Sequence, residues 1–296
     1  VMKCIKLTEK CFYFQGAVNI GYIMSGNDGM LIDAGLDPQT AKKVCRQLTA
    51  QGFPLSHLFI THAHADHYGG AAYIQENHPV HTYASKEEAA ILTNPILEPL
   101  YLFQGNKPLP ELRNKFLEGA PIIVDEEVTE GKHQFGDVLF ECMAFPGHSL
   151  MQLGVMADGI LFAADAYFGA EQIKKHKIPY IIDADDTLKS LEKLLTIECL
   201  GAVPGHGNYE EAFQETVKLN IEYHHHVLSV LLDILSSSPH THEQVIQKMC
   251  RHFGVNPSSL SSWLLFRTAI MAYATMLIKD QKAEMVIEDA ILYLKS

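Results

Sequence analysis

Three histidines and one carboxylate lie within six positions of one another. They are His62, His64, Asp66 and His67. Neutral imidazole and carboxylate groups at this density suit a borderline metal ion. A His-rich surface turn is the alternative, but the cluster directly follows Leu55–Ile60, which has the apolar pattern of a buried strand. The sequence therefore predicts a metal site on a loop at the C-terminal end of a strand, where layered α/β folds keep their reactive groups.

Three further candidate ligands each stand at the end of another apolar, strand-like run. They are His148 in Phe145-Pro146-Gly147-His148-Ser149, Asp165 in Phe162-Ala163-Ala164-Asp165, and His206 in Pro204-Gly205-His206-Gly207. The glycine before each histidine allows a sharp turn that brings the imidazole back over the edge of the sheet. Each signal is weak alone, and each extends the candidate metal site.

The elements that must position these residues alternate between short strands and helices. Apolar residues in Pro38–Gln51 have helical spacing after an Asp-Pro cap. The Leu- and Pro-rich segment Ser85–Glu118 has the pattern of short helices broken by turns, and we expect it to form a lid. The other predicted elements are strands at Lys3–Leu7, Cys11–Phe14, Asn19–Ser25, Met30–Asp33, Val138–Ala144, Leu153–Met156, Gly159–Ala163 and Ala202–Val203, and a helix at Asp186–Thr196.

The last 81 or so residues differ in pattern from the rest of the chain, which places a domain boundary near residue 215. We expect a catalytic domain at residues 1–215 and a C-terminal all-helical domain at residues 216–296. The predicted helices are Glu215–Leu235, His242–Phe253, Ser262–Lys279 and Glu284–Lys295. Two of them across the Gly254 turn resemble a degenerate winged helix. Residues 216–296 carry seven basic and seven acidic side chains, a poor balance for reading phosphates, so we expect this domain to complete a pocket or to form a homodimer.

Composition and charge narrow the classes of function. The chain has 296 residues, of which 47% are hydrophobic and 20% charged, as in a folded globular protein. A net charge of −12 disfavours nucleic acid as a partner. The longest apolar run, Trp263–Ile278, is short for a membrane span and contains Arg267, the start of the chain lacks a signal-peptide pattern, and the six cysteines form no C-x-x-C pair. We expect a cytoplasmic protein with reduced thiols that acts on a small-molecule substrate without a membrane partner.

The motifs resemble those of the metallo-β-lactamase superfamily, whose fold is an αββα four-layer sandwich. Thr61–His67 has the form T-H-x-H-x-D-H and is followed by Tyr68-Gly69-Gly70. The later P-G-H-S, A-D and P-G-H-G motifs come in the family's order, and Leu31–Gly35 is similar to its first motif. The resemblance covers about Val1 to Glu215.

This resemblance implies a dinuclear site with two zinc ions, with iron or manganese as alternatives. It places His62, His64 and His148 on one metal, Asp66, His67 and His206 on the other, and Asp165 between them. Two cations would lower the pKa of a bridging water and generate hydroxide as the nucleophile, which Asp66 would also orient. Asp66 replaces the cysteine of the antibiotic-hydrolysing members, which argues against a true β-lactamase.

The same resemblance suggests roles around the metals. Asp33 would support the metal loop. Tyr167 would donate a hydrogen bond to a substrate carbonyl or oxyanion, as a tyrosine does in the related lactonases, or would be a packed aromatic residue, since its spacing differs from theirs by one residue. Tyr68 is either a pocket wall or a packing residue. Tyr223, in the run Tyr223-His224-His225-His226, either reaches the pocket or belongs to an amphipathic helix with one histidine turned toward the domain interface.

The expected reaction is hydrolysis of a small soluble ester. A thioester, as in members similar to glyoxalase II, is the first choice, although no basic cluster in the C-terminal part is available for the carboxylates of glutathione. A lactone is the second. A phosphodiesterase or nuclease, a di-iron oxidoreductase and a metal-dependent sensor without turnover are the further alternatives.

Overall fold

Two β-sheets packed face to face form the centre of the protein. The computed structural model describes residues 2–296. The first sheet has seven strands in chain order, antiparallel from β1 to β4 and parallel from β4 to β7. Its strands are β1 Lys3–Lys6, β2 Cys11–Gln15, β3 Ile20–Ser25, β4 Asp28–Ile32, β5 His57–Phe59, β6 His81–Ala84 and β7 Glu126–Glu127.

The second sheet has five strands in the order β12-β11-β10-β9-β8, of which only the β11–β12 pair is parallel. Buried side chains of both sheets fill the space between them, among them Phe59 and Met30 from the first sheet and Phe140, Val155 and Phe162 from the second. Its strands are β8 Gly131–Phe135, β9 Val138–Ala144, β10 Leu153–Ala157, β11 Ile160–Ala164 and β12 Gly201–Pro204.

Helices cover the outer face of each sheet and complete the four layers of the αββα sandwich. On the first sheet, Val44 and Leu48 of α1 and Ile74 of α3 are fully buried. On the second, α7 buries Leu191 and Leu194. The helices before residue 200 are α1 Pro38–Gln51, α2 Ala65–Tyr68, α3 Ala71–Asn77, α4 Lys86–Thr93, α5 Leu97–Leu102, α6 Ala170–His176 and α7 Ala184–Leu195.

The C-terminal region contains three helices and a small sheet. Its elements are α8 Phe213–Ser237, β13 His240–Thr241, α9 His242–His252, α10 Leu260–Lys279, β14 Glu284–Glu288 and β15 Ile291–Lys295. The predicted helical region is confirmed for α8 to α10, but the prediction of a helix over Glu284–Lys295 is wrong. Those residues form a hairpin whose strand β15 pairs with β13, so the region is not all-helical. The elements of this region follow the order helix, strand, helix, helix, hairpin.

Helix α10 connects this region to the predicted lid. The lid segment contains α4, α5 and a short 3-10 turn at Pro110–Leu112, and its Leu102, Leu112 and Leu117 pack against Leu264 of α10. Nη2 of Arg267 donates a hydrogen bond to the carbonyl oxygen of Leu102, at 3.1 Å. Helix α10 has the length and hydropathy of a membrane span, but its residues such as Ile270 and Tyr273 are buried in the protein's own core.

Candidate metal centre

The four clustered donors lie on the loop that leaves β5 and in the first turns of α2. The neighbouring strand β4 ends at Ile32, and the next residue, Asp33, adopts a positive φ of 67° and turns its carboxylate toward this loop. Asp33 accepts hydrogen bonds from the backbone nitrogen and the hydroxyl of Thr61, at 2.9 and 3.0 Å. Its other oxygen lies 2.7 Å from Nδ1 of His67. Asp33 therefore holds both ends of the loop, as the resemblance implied.

The other three donors follow strands β9, β11 and β12 at the same edge of the sandwich. Asp165 is the central residue. Its Oδ1 lies 3.4 Å from Nε2 of His67, and its Oδ2 lies 3.3 Å from Nε2 of His148 and 3.4 Å from Nε2 of His206. Asp66 closes the cluster, with Oδ2 3.3 Å from Nε2 of His206. One carboxylate thus contacts histidines of both predicted ligand sets.

The structure brings all seven predicted ligands together in three overlapping groups. Within each group one donor atom per residue lies within 4.8 Å of the others. The groups are His62 with His64 and His148, His62 with His67 and Asp165, and Asp66 with His67 and His206. The first and third groups are the two ligand sets that the resemblance implied.

Unpaired buried atoms show that this donor set fits metal ions. Nε2 of His62, Nε2 of His67 and Oδ1 of Asp165 are buried without a hydrogen-bond partner within residues 2–296. Such atoms are costly unless a ligand satisfies them. In two other histidines of the site, the protein holds the ring nitrogen opposite to the one that faces the site. Nδ1 of His148 lies 2.9 Å from the carbonyl oxygen of Tyr180, and Nδ1 of His206 lies 2.9 Å from that of Ala17. This pattern, in which one ring nitrogen is oriented and the other faces the site, is typical of metal-binding histidines.

The pKa shifts of the histidines differ between the two predicted sets of metal ligands. Burial lowers the pKa of His64 and of His148 to about 4, so both imidazoles offer free lone pairs at neutral pH. Burial alone would raise the pKa of Asp165, but His206 and His67 hold it well below its ordinary value. Burial opposes charge on His206 too, yet Asp165 raises its pKa to about 10. Asp165 thus favours positive charge on His67 and His206, so this part of the cluster is electronegative and suits a cation.

Glu88 is a residue of this site that the sequence reasoning missed. It lies in the first turn of α4 and is buried. Its Oε2 accepts a hydrogen bond from the backbone nitrogen of Ala63 at 2.8 Å, and its Oε1 accepts from the hydroxyl of Ser149 and the nitrogen of Met151 at 2.7 and 2.9 Å. One carboxylate of the predicted lid therefore fixes the two loops that carry His62, His64 and His148. A single glutamate in a helix carries no pattern by which the sequence alone could identify it.

A comparison with known families agrees with this geometry. The family described as the metallo-beta-lactamase superfamily matches residues 13–206, about two thirds of the chain. This chain belongs to the metallo-beta-lactamase superfamily. The match includes all seven donors, and the αββα sandwich that the resemblance implied for this superfamily is the fold described above.

Relatives that are named after an enzyme activity match only part of the chain. A hydroxyacylglutathione hydrolase of Vibrio campbellii is 30% identical over 138 residues, which are 46% of this chain and 43% of that enzyme. The chain thus matches less than half of the length of this relative. A lactamase-like protein of Pestalotiopsis microspora is 25% identical over 254 residues, 84% of this chain and 67% of that protein.

Solved structures of superfamily members share the fold over the whole chain. A beta-lactamase domain protein from Burkholderia ambifaria has a TM-score of 0.75 at 14% identity and covers 99% of this chain and 93% of its own. A metallo-beta-lactamase family protein from Thermus thermophilus has a TM-score of 0.73 at 16% identity, covering 100% and 98%. The fold therefore extends through the C-terminal region.

The structure corrects the prediction for Tyr167. This side chain is fully buried in the hydrophobic core, with its ring 6.1 Å from that of Phe213. Burial and the nearby carboxylate of Glu210 raise the pKa of its hydroxyl. Strand β11 ends at Ala164, which has a positive φ of 47°, so the alternation that would put residues 165 and 167 on one face does not continue. Tyr167 is a packing residue.

Tyr68 and Tyr223 also lie outside the metal cleft. The hydroxyl of Tyr68 accepts a hydrogen bond from the backbone nitrogen of Gly119 at 2.8 Å, and its ring is buried under the lid segment. The hydroxyl of Tyr223 donates to the carbonyl oxygen of Lys177 at 3.0 Å. The histidine turned inward is His224, whose Nδ1 lies 2.8 Å from the hydroxyl of Tyr273 on α10.

Two cavities adjoin the metal donors. The smaller, of about 270 Å³, is the metal cleft, and its walls include Phe168, His176, Tyr180 and the lid residues Phe116 and Leu117. The larger, of about 540 Å³, lies between the lid segment and α10. His64 and Glu98 line both cavities, so the larger one opens at the metal donors.

Proposed function

We propose that this protein is a metal-dependent hydrolase that uses two zinc ions to hydrolyse a small thioester. The observation that carries the proposal is the convergence of seven imidazole and carboxylate donors with three unpaired buried atoms among them. The hydroxyacylglutathione hydrolases among the relatives support a thioester over other esters. Nitrogen-rich tetrahedral sites favour zinc, with iron or manganese as the alternatives.

Two bound divalent cations would supply an activated water and polarise the substrate carbonyl. Water adds to the carbonyl carbon, the carbon–sulfur bond breaks, the acyl group leaves as a carboxylic acid and the thiol takes up a proton. Asp66 borders the cleft and can orient the water. Phe168 and Leu117 form apolar walls of the cleft.

Tyr180 replaces Tyr167 as the candidate donor to the substrate. It lines the metal cleft, its ring lies 5.4 Å from that of His64, and its buried hydroxyl has no hydrogen-bond partner in the described part of the chain. A free phenol at this position is suited to donate a hydrogen bond to the oxygen of a tetrahedral transition state.

The decisive experiment is steady-state hydrolysis by zinc-loaded protein with a panel of thioesters, lactones, a β-lactam and a phosphodiester, beside Asp165→Ala. Thioesters should be hydrolysed well above the variant, and bound metal should reach two ions per chain in the wild type. Preferential turnover of lactones would move the substrate to the second candidate. No turnover by fully loaded protein would overturn the hydrolase proposal and favour a sensor, and redox turnover with iron would favour the di-iron alternative.

We further propose that the protein works in the cytoplasm on small molecules, without a nucleic-acid or membrane partner, as a monomer or homodimer. The net charge of −12 and the equal numbers of acidic and basic residues in positions 216–296 support this for nucleic acid. The six free cysteines are consistent with a reducing compartment.

A further inference from the structure

A buried cation in the larger cavity has no acidic partner. Arg267 on α10 is 8% exposed and lines this cavity. Among residues 2–296 its guanidinium forms no salt bridge, and its one hydrogen bond is the donation to Leu102. A guanidinium carries five N–H donors, and desolvating it without compensation is unfavourable. The remaining donors therefore lack an acceptor in the wall of a cavity large enough for a ligand.

A second unpaired donor lies in the same cavity. Nε2 of His242, at the start of α9, is buried without a hydrogen-bond partner in the part of the chain that the structure describes. Burial lowers the pKa of His242, the carboxylate of Glu243 opposes this, and the charge of Arg267 lowers the pKa further, so the net effect favours the neutral ring. Thus two side chains from different helices line one cavity and form no hydrogen bond to its other walls among the described residues.

The rest of the wall suits an apolar chain. Helix α10 contributes Thr268, Met271, Ala272 and Thr275, which have the spacing of one helical face. Ile91 and Tyr101 of the lid segment and Ile182 lie on other sides. A volume of about 540 Å³ lies within the range of small-molecule pockets, which combine apolar walls with a few polar anchors.

One of the two acidic side chains of the cavity does not oppose an anion. Burial raises the pKa of Glu98 to about 8, so this carboxyl is protonated at neutral pH. Both carboxylate oxygens of Glu88 accept the hydrogen bonds from Ala63, Ser149 and Met151 described above. Arg267 is the one guanidinium among the residues that line this cavity.

We propose that this cavity binds the acyl chain of the substrate and that Arg267, assisted by His242, binds a carboxylate carried by that chain. The inference rests on the proposed function: the substrate is a thioester of a dicarboxylic or otherwise carboxylated acid with an apolar body. A carboxylate matches the planar fork of a guanidinium, and the small apolar cavity suits an acyl chain better than a large polar thiol. Arg267 is a specificity residue and takes no part in the chemical step.

The kinetic test compares matched substrates. N-acetylcysteamine thioesters of succinate, adipate and suberate would be measured against those of butyrate, hexanoate and octanoate, in wild type, Arg267→Gln and Arg251→Gln. Arg251 is an exposed arginine of α9 and serves as the matched control. Arg267→Gln should lower kcat/KM for the best carboxylated substrate about tenfold or more relative to its neutral partner, because a charge-assisted hydrogen bond is lost. An unchanged ratio would overturn the proposal.

A binding measurement separates this inference from the proposed function. Calorimetric titration of the metal-loaded protein with adipic acid monoamide and with hexanamide reports the carboxylate contribution without turnover. The monoamide should bind more tightly to the wild type and to Arg251→Gln, and about tenfold more weakly to Arg267→Gln. If these affinity differences are found while no thioester is hydrolysed, the anion site is supported and the proposed thioester hydrolysis is wrong. If thioesters are hydrolysed but neither the kinetic ratio nor the affinity responds, the anion site falls.

A second variant covers the case in which Arg267→Gln disturbs the fold by losing the bond to Leu102. Met271→Trp adds bulk to the cavity wall away from the metal donors. It should lower kcat/KM for adipyl and hexanoyl thioesters together, while the acetyl thioester is little affected. Equal loss for all chain lengths, or loss for none, would contradict an acyl chain in this cavity.

Discussion

The carboxylate of Glu88 lies 2.8 Å from the backbone nitrogen of Ala63, the residue between His62 and His64. The same side chain holds the loop after His148 through Ser149. Helix α4 of the lid segment thus fixes the relative positions of the first set of metal ligands, His62, His64 and His148. This contact makes the lid part of the metal centre's scaffold.

Glu88→Gln should weaken metal binding. An amide has only one acceptor oxygen for donors that now occupy two, so one of the two ligand loops loses a hydrogen bond. Loss of such an outer contact costs about 10- to 100-fold in metal affinity or activity. Zinc affinity measured by chelator competition tests this, with Glu87→Gln, in the same helical turn, as the control. Equal affinities for the two variants would contradict the role assigned to Glu88.

Gly205→Ala should disrupt the bridging carboxylate. A Cβ at position 205 would overlap Oδ1 of Asp165 and lie 2.9 Å from Cε1 of His67. The backbone or Asp165 must shift, so we expect fewer than two bound metals per chain and a loss of hydrolysis. The metal content of the purified variant checks this.

The control for that variant is Gly52→Ala. Gly52 ends α1 with a φ of +68°, and nothing lies within 4 Å of an added Cβ. Its substitution should cost about 1 kcal/mol of stability through backbone strain while leaving the metal content at its wild-type value. Full metal occupancy in Gly205→Ala would show that the site tolerates the shift.

Tyr180→Phe and Tyr167→Phe should differ in their effect on turnover. The buried hydroxyls of both residues lack a hydrogen-bond partner among the described residues, but Tyr180 lines the metal cleft whereas Tyr167 lies in the core. Removing a hydrogen-bond donor to the transition state lowers kcat by about a hundredfold or more where that donor is aligned. We therefore expect Tyr180→Phe to lower kcat and Tyr167→Phe to leave it near the wild-type value. The opposite order would return the catalytic hydroxyl to Tyr167.

His224 should make the protein less stable in acid. Burial lowers its pKa to about 3, whereas an exposed histidine in the unfolded chain titrates near 6.5. Between about pH 6.5 and about pH 3 the unfolded state binds a proton that the folded state does not. The free energy of unfolding therefore falls as the pH falls through this window, by up to about 1.4 kcal/mol per pH unit from this residue.

His224→Gln removes this contribution and should flatten the dependence of unfolding free energy on pH. His226→Gln, a change at an exposed histidine of the same helix, should leave the dependence as in the wild type. Urea unfolding at a series of pH values measures both. Parallel curves for wild type and His224→Gln would show that the buried imidazole does not control acid stability.

The metal donors could be predicted from the sequence because they are dense and stand at strand ends. Such residues meet at one edge of the layered sheets, and Asp33 is recognisable from the motif that resembles the family's first motif. Glu88, Arg267 and Tyr180 could not be found in this way, since each reaches the site from an element whose placement depends on tertiary packing. The prediction that Tyr167 donates a hydrogen bond to the substrate fails for a local reason, which is the positive φ of Ala164.

The C-terminal hairpin shows a different limit. Its turn, Asp289-Ala290, has positive φ at both residues, 49° and 62°, as two-residue hairpin turns require. A glycine usually marks such a turn, and here alanine stands in its place, so the turn signal is weak. The apolar residues on both sides then fitted a helical spacing equally well, and only pairing of β15 with β13 decides for strands.

Helix α10 supplies five side chains of the larger cavity and none of the seven metal donors. The metal donors and the residues proposed to select the acyl chain therefore lie in separate stretches of the sequence. A library restricted to positions 268, 271, 272 and 275 would sample new acyl preferences while the metal ligands and their supporting contacts stay intact. The protein thus offers a starting point for laboratory evolution in which substrate scope can be varied without rebuilding the chemistry.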